Sequence, residues 1–319
     1  MIKILANDGI SQAGVDLLTK KGFEVITKKV EQENLIDVIN TENYEVLLVR
    51  SATSVRKELI DACPNLKIIG RGGVGMDNID VDYAKNKGIN VINTPAASSE
   101  SVAELVFAHL FGMVRYLFDS NRQMPLSGDS DFKALKKSYT KGKELTGKTL
   151  GIIGFGRIGQ EVAKRAIGLG MNIMAHDKFI KKANINLDFF NKQKKSFTIE
   201  THTLEDVLKN SDFITLHIPK IGNKAVIGAE EIGMMRTGAG IVNTSRGGLI
   251  DETALMFALD KEKLAYAGLD VFENEPTPSI HICMHNAISL TPHIGGATLE
   301  AQDRIGTELA QQIFDHFNK

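Results

Sequence analysis

A chain of 319 residues with 43% hydrophobic content is long enough for two domains of ordinary size. Its 38 basic and 39 acidic residues nearly cancel, so no global field draws it to nucleic acid or to an anionic membrane. The two cysteines, Cys63 and Cys283, form no metal-ligand pattern and suit a reducing compartment. The N-terminus, MIKILAN, reads as a first strand and lacks the apolar core of a signal peptide, so a cytoplasmic protein is expected. Residues 1–94 alternate strand and helix patterns, with strands at Ile2–Ala6, Phe23–Thr27, Val46–Arg50, Leu66–Arg71 and Ile89–Thr94. That rhythm predicts an open parallel sheet covered on both faces. Ligands of such sheets bind beyond the carboxyl ends of the strands. The residues there are Asn7, Arg50 to Thr53, the glycine-rich turn Arg71 to Met76, and Thr94-Pro95.

Ser98 to Glu104 opens a long helix, with Ser101 and Glu104 at capping-box spacing. Its apolar stripe includes Val102, Leu105, Val106, His109, Met113 and Leu117, which makes His109 a packed residue rather than a ligand. Val102–Phe118 is the most apolar long segment, but Glu104, His109 and Arg115 interrupt it, so a buried helix is expected and not a membrane span. Residues 121–147 are polar and lysine-rich, the pattern of a solvated face. Their place beside the next unit makes a dimer arm the rival reading.

Thr149–Asp177 follows the sequence logic of a dinucleotide grip. An apolar strand (Thr149 to Ile153) leads into Gly154-Phe155-Gly156-Arg157-Ile158-Gly159, a G-x-G-x-x-G that opens a helical run through Val162, Ala163 and Ala166. Gly154 permits the tight turn, Gly156 admits a pyrophosphate to the backbone, and Gly159 lets the helix lie close to the strand. The pyrophosphate would sit on the free amides of the helix N-terminus. A second strand, Asn172–His176, ends in Asp177, 18 residues after Gly159, where a carboxylate can bond the adenosine ribose hydroxyls. A 2′-phosphate would face that carboxylate, so NAD is expected rather than NADP, with Lys178 the one opposing charge.

After Asp177 a basic, aperiodic stretch to about Thr203 reads as a loop with a short added element. Strands then resume at Phe213–Leu216, Gly240–Asn243, Leu264–Val271 and Ile288–Leu290, with helices near Ala229–Met235, Glu252–Leu259 and Gln302–Phe317. Three stretches here carry polar residues in apolar surroundings: Val242 to Gly248, Gly268 to Pro276, and Leu290 to Gly296. An arginine, a carboxylate and a histidine beyond strand ends of a nucleotide-binding sheet fit hydride transfer to or from a carbonyl. Arginine's planar fork matches a carboxylate. Histidine titrates near neutrality and can take and return a hydroxyl proton. A neighbouring carboxylate would favour the imidazolium and fix its orientation.

GFGRIG with Asp177, NTSRGGLID, LDVFENEP and LTPHIGG together resemble the D-isomer-specific 2-hydroxyacid dehydrogenases over nearly the whole chain. The resemblance implies an α/β fold of two doubly wound parallel-sheet domains. A Rossmann NAD-binding domain (101–293) is inserted into a flavodoxin-like substrate domain (1–100 and 294–319), with the long helix and the final helix as the crossings. It implies that Arg246 binds and polarises the 2-keto carboxylate, that His293 is the acid/base and that Glu275 is its partner. Asp270 would hold the nicotinamide carboxamide, and His217-Ile218-Pro219, Thr244-Ser245 and Gly295 would line the cofactor. Gly72-Gly73-Val74 would receive the substrate carboxylate.

Within the family, LLVRSAT, RGGVGMDNID and VINTPAASSESVAEL are most similar to the branch that oxidises C2 of 3-phosphoglycerate with NAD in serine synthesis. Arg50, Ser51 and Arg71 stand where its phosphate would need cations and donors. The chain stops at Lys319, where longer members continue into a serine-sensing domain, so that seat of feedback is expected to be missing. A homodimer built through 101–147 and a small phosphorylated hydroxy acid as substrate are further implications. Rival readings are hydroxypyruvate or glyoxylate reduction and, from another class, an NAD-sensing co-repressor-like scaffold. Glu275 argues against formate dehydrogenases, which resemble this pattern with glutamine there.

Overall fold

The computed structural model describes residues 1–222 and 224–318. The chain divides into two compact units, 1–101 with 296–319, and 102–295.

The first unit is built on β1 (Lys3–Ala6), β2 (Glu24–Ile26), β3 (Val46–Val49), β4 (Ile68–Arg71) and β5 (Asn90–Asn93), all parallel in the order β2-β1-β3-β4-β5. These strands are near-continuous apolar runs because both faces are covered. Ile4, Val46, Leu48 and Ile68 pack on one face with Leu18, Ile305 and Leu309 of helices Gln12–Lys20 and Leu299–Phe317. Leu5, Leu47, Val49 and Ile69 pack on the other with Leu35, Ile39, Leu59 and Ile60. The order reverses between β1 and β3, and such a switch point is where the carboxyl ends of an open sheet leave a crevice.

In the second unit, β6 (Thr149–Ile153), β7 (Asn172–His176), β10 (Phe213–Leu216), β11 (Ala239–Asn243), β12 (Leu264–Leu269) and β13 (Ile288–Leu290) form a parallel sheet. Its order is β13-β12-β11-β10-β6-β7, with the switch between β6 and β10. Ile153, Ile214, Ile241 and Ile288 meet one set of helices. Leu150, Ile152, Phe213 and Val242 meet the long helix and the helix Arg157–Gly168. The sheets are thus the two doubly wound patterns expected.

Several local expectations are corrected. The basic stretch after Asp177 is an antiparallel hairpin, β8 (Lys182–Asp188) and β9 (Lys194–Glu200), not a loop. Only Ile185 and Leu187 on it are buried, which is too little apolar alternation to signal strands. The long helix runs Ser99–Val114, so Ser101 lies inside it and caps nothing; its hydroxyl instead lies 2.7 Å from Thr298 Oγ1. The helix stops because Tyr116 takes a left-handed φ of 55°, and a second helix, Leu117–Ser127, leaves at 55° to the first. No single described helix is long and apolar enough to cross a membrane; this bent pair passes such a test only when taken together. The final helix lies wholly in the first unit, whose boundary falls at Gly295/Gly296, ahead of Leu299. A short helix, Ile280–Met284, was not foreseen.

Candidate active site

The nucleotide end of the second unit is shaped by the carboxyl ends of β6, β7, β10 and β11. Gly154 has φ +96°, and any Cβ on it would run into the His217 backbone carbonyl, so only glycine closes this turn. A Cβ on Gly159 would strike the Gly154 carbonyl, which is how tightly the helix lies on the strand. Gly156 faces open space where its side chain would be, the cradle a pyrophosphate needs. Just beyond it the first amides of the 12-residue helix Arg157–Gly168 have no intrahelical partner. Arg157 is exposed at that turn and Ile158 is half-buried. Phe155, expected among the cofactor residues, is otherwise employed: its ring is fully buried in the core and its N–H donates to Asp177 Oδ2 at 2.7 Å.

Asp177 also accepts from the N–H groups of Phe179 (2.8 Å) and Ile180 (2.9 Å). Burial pushes its carboxyl up, but these backbone donors more than reverse that and hold it below the usual carboxylate range. An ionised carboxylate has about four acceptor sites, so one remains for a ribose hydroxyl. Across the switch point, His217 is half-buried with its Nδ1 out of solvent, and burial drives its pKa down to about 3, so the ring is neutral. Its Nε2 lies 3.0 Å from Thr215 Oγ1. Among the described residues, His217 Nδ1 and Thr244 Oγ1 are buried without a hydrogen-bond partner. Such orphaned groups are costly unless a ligand meets them, and they stand at the ends of β10 and β11 beside the β6 turn. Ser245 Oγ donates to the Ile218 carbonyl at 2.7 Å and ties the two turns together, with Pro219 exposed next in line. The residues present therefore fit NAD.

The chemical end lies at β11, β12 and β13. Asn243 accepts from the Ser245 N–H and donates to the Arg246 carbonyl at 2.8 Å, which shapes the turn that presents the half-buried Arg246. One Arg246 Nη1 donates to the Ser245 carbonyl. Beyond β12, Glu275 Oε1 accepts from the Phe272 N–H at 3.0 Å, and Oε2 lies 2.7 Å from His293 Nδ1. The carboxylate can only accept, so Nδ1 carries a proton and Nε2 is left to do the proton transfer. The His293 side chain is 43% exposed, so that nitrogen is within reach of a substrate. Its backbone is left-handed, with φ +55°.

Asp270 is tied into the protein itself. It is 0% exposed, and its carboxylate accepts from the Thr291 hydroxyl (2.6 Å) and the N–H groups of Ile294 and Gly295 (both 2.8 Å). Its own carbonyl accepts from the His293 N–H at 2.8 Å. Three of the carboxylate's about four acceptor sites are thus taken in bracing the turn of His293. Gly295 serves that brace; a Cβ on it would stand 3.1 Å from Asp270 Oδ2.

Two supports escaped the sequence reading. Glu252 and Glu273 exchange bonds, each carboxylate accepting the other's backbone N–H (3.1 and 2.7 Å), which latches the Glu275 loop to the helix Glu252–Asp260. Burial, the larger effect, pushes the Glu252 carboxyl up. The other is His109, whose ring meets Ser289 and Thr291. No group of His, Cys, Asp and Glu among the described residues could hold a metal ion.

In the first unit, Arg50 follows β3, and its loop is fixed by Asp8. The Asp8 carboxylate accepts from the N–H groups of Arg50 (2.7 Å) and Thr53 (3.0 Å) and from the Thr53 hydroxyl (2.7 Å). Asn78 donates to the Arg50 carbonyl. Ser51 is exposed. The turn Gly72–Val74 is tied to β3 through the Gly72 N–H and Val49 carbonyl, and to β5 through Asn93 and Thr94. The Arg71 guanidinium lies against Gly73, where a Cβ would collide with it.

A sheet with this switch point, a glycine turn, and an arginine, a carboxylate and a histidine on adjoining strand ends define a nicotinamide-dependent oxidoreductase site. Residues 107–295 match the family model of the D-isomer specific 2-hydroxyacid dehydrogenase NAD binding domain. The chain is 43% identical to the hydroxypyruvate reductase of Thermotoga maritima over 318 residues, 98% of this chain and 97% of that one. It is 41% identical to the D-3-phosphoglycerate dehydrogenase of Methanocaldococcus jannaschii over 98% of this chain and 57% of that one. The chain thus spans about half the length of the curated D-3-phosphoglycerate dehydrogenases it matches. Among solved structures, NAD+-bound 3-phosphoglycerate dehydrogenase of Entamoeba histolytica superposes with a TM-score of 0.76 at 30% identity, covering 100% of this chain and 96% of that one. The chain belongs to the D-isomer specific 2-hydroxyacid dehydrogenases, and it binds NAD.

Proposed function

We propose that the chain oxidises the C2 hydroxyl of 3-phospho-D-glycerate to 3-phosphohydroxypyruvate. The observation that carries the reaction class is the 2.7 Å pairing of His293 Nδ1 with Glu275, one strand over from Arg246. Arg246 holds the carboxylate of the hydroxy acid. His293 Nε2 takes the hydroxyl proton as the C2 carbonyl forms, and Glu275 stabilises the imidazolium so produced. NAD, when bound, accepts the hydride that leaves C2. In the reverse direction the same nitrogen returns the proton to the carbonyl oxygen.

The phosphate reading is supported by the 3-phosphoglycerate dehydrogenase relatives and by Arg50 and Arg71 at the carboxyl ends of β3 and β4. A dianionic phosphate leaving water needs such cations. Hydroxypyruvate reduction is the second reading, favoured by the 43% identity to the Thermotoga relative. A panel of 2-hydroxy acids and their keto forms decides between them, with 3-phosphoglycerate expected to show the highest kcat/KM. A hydrogen bond to a charged group is worth about 1.5–3 kcal/mol. Arg50→Ala should therefore raise KM for 3-phosphoglycerate by roughly one to two powers of ten and leave glycerate almost unchanged. If the wild type prefers glycerate or hydroxypyruvate outright, the phosphate reading is lost.

We also propose a homodimer through the second unit. Leu117, Met124, Leu126 and Phe132 are exposed on the helices that follow the long one, and Leu126 is 75% exposed. Large apolar side chains exposed on two successive helices support an interaction site there. Light scattering at micromolar concentration should give twice the 34.9 kDa chain mass; a monomer mass would reject the arm.

A further inference from the structure

His109 lies in the middle of the long helix, is 2% exposed, and touches neither the nucleotide turn nor Arg246, Glu275 or His293 through any hydrogen bond described. Both of its ring nitrogens are nevertheless engaged. Nδ1 is 2.9 Å from Ser289 Oγ and Nε2 is 3.0 Å from Thr291 Oγ1. Thr291 has one hydroxyl proton, and it goes to Asp270 Oδ1 at 2.6 Å, because the buried carboxylate can only accept. Thr291 must then accept from His109, so Nε2 carries the proton and Nδ1 accepts from Ser289. Burial, the larger effect, lowers the His109 pKa against the opposing charge of Asp270, in keeping with this neutral form. Space has been made for the ring: a Cβ on Gly268 of β12 would stand 2.9 Å from His109 Cβ and 3.1 Å from its Cγ. The chain of bonds continues outward, since the same Asp270 carboxylate holds the Ile294 and Gly295 amides.

We propose that His109 is a positioning residue for the dehydrogenase site: through Thr291 it fixes the Asp270 carboxylate, and through that carboxylate the turn that carries His293. The inference rests on the reading of His293 as the proton-transfer residue. Without His109, the half-buried Thr291 hydroxyl is held by its bond to Asp270 alone and its acceptor site is left unmet. One of the three donors on the carboxylate is then less firmly placed, and the amides it holds are less restrained. Because placement errors of about 1 Å near a reacting centre cost on the order of a hundredfold, a modest loosening of that turn is visible in kcat.

The test compares two amides of different reach. In His109→Gln the terminal NH2 falls near the old Nε2 and can still donate to Thr291. In His109→Asn it falls near the old Nδ1 and cannot. His109→Gln should keep kcat within about threefold of wild type, whereas His109→Asn should lose about tenfold or more, with KM for NAD nearly unchanged in both. Thr291→Val should lower kcat similarly, and adding His109→Asn to it should have little further effect, because the two act in series. Equal kcat in the two amide variants, or effects that multiply in the double variant, would overturn the proposal. Hydrogen exchange over 291–296 reads the turn without catalysis and should rise in His109→Asn but not in His109→Gln; equal exchange in the two also overturns it. If the wild-type chain oxidised no 2-hydroxy acid, the functional reading would fail while the exchange measurement still decided whether His109 holds the turn.

Discussion

His293→Ala is expected to lose turnover by roughly 10²–10⁴-fold, the usual cost of removing a positioned acid/base group, while NADH still binds. The expectation follows from the two nitrogens. Nδ1 is committed to Glu275 at 2.7 Å, and the imidazole is open to a substrate only on the other side. No second group on this turn can replace it: Thr291 donates inward to Asp270, and the Ile294 and Gly295 amides are held by the same carboxylate. The cofactor turns at Gly154, His217 and Thr244 do not hydrogen-bond to the His293 ring, so fluorescence titration with NADH should give a dissociation constant near that of wild type. Steady-state turnover close to wild type would show that another residue moves the proton.

Glu275→Gln is expected to be nearly as damaging, although it changes one atom. The amide oxygen can keep the bond from the Phe272 N–H, so the loop should hold its shape. The amide nitrogen is then left facing His293 Nδ1, where it donates. The imidazole must accept at Nδ1 and carry its proton on Nε2, the wrong form to take one from a hydroxyl. Replacing the orienting carboxylate by its amide in a Ser-His-Asp triad costs about 10⁴ in kcat for the same reason. A loss of roughly 10²–10⁴ is expected here, with the melting temperature close to wild type. A variant with wild-type kcat would separate Glu275 from the chemistry and leave it as a loop anchor.

The architecture was legible because parallel strands buried on both faces must be written as apolar runs, and Ile2–Ala6, Val46–Arg50 and Phe213–Leu216 are such runs. The glycine turn was legible because few arrangements other than strand, glycines, helix, strand and acid need that order. Arg246, Glu275 and His293 stood out as polar residues beyond strand ends. What stayed hidden depended on partners distant in sequence. The bracing role of Asp270 was hidden, since nothing local says that amides 24 and 25 residues later will bond to it. His109 read as packing, which is half right; its partners lie 180 and 182 residues away. The hairpin at Lys182–Glu200 was missed because its outward face is polar and its inward face is apolar at few positions. Ser101 was misplaced as a cap because helix starts are set by the chain's path, and the helix had already begun at Ser99.

At φ +55° the backbone of His293 occupies a region that costs a residue with a side chain about 1–2 kcal/mol. Glycine or asparagine would rest there more easily, so the residue that best suits the folded chain is not the one that can transfer a proton. The turn is a point of local frustration, held in register by the buried Asp270 beneath it. A screen for thermal robustness alone would favour replacing this residue, and a histidine on such a backbone is a signature of chemistry prevailing over ease of folding.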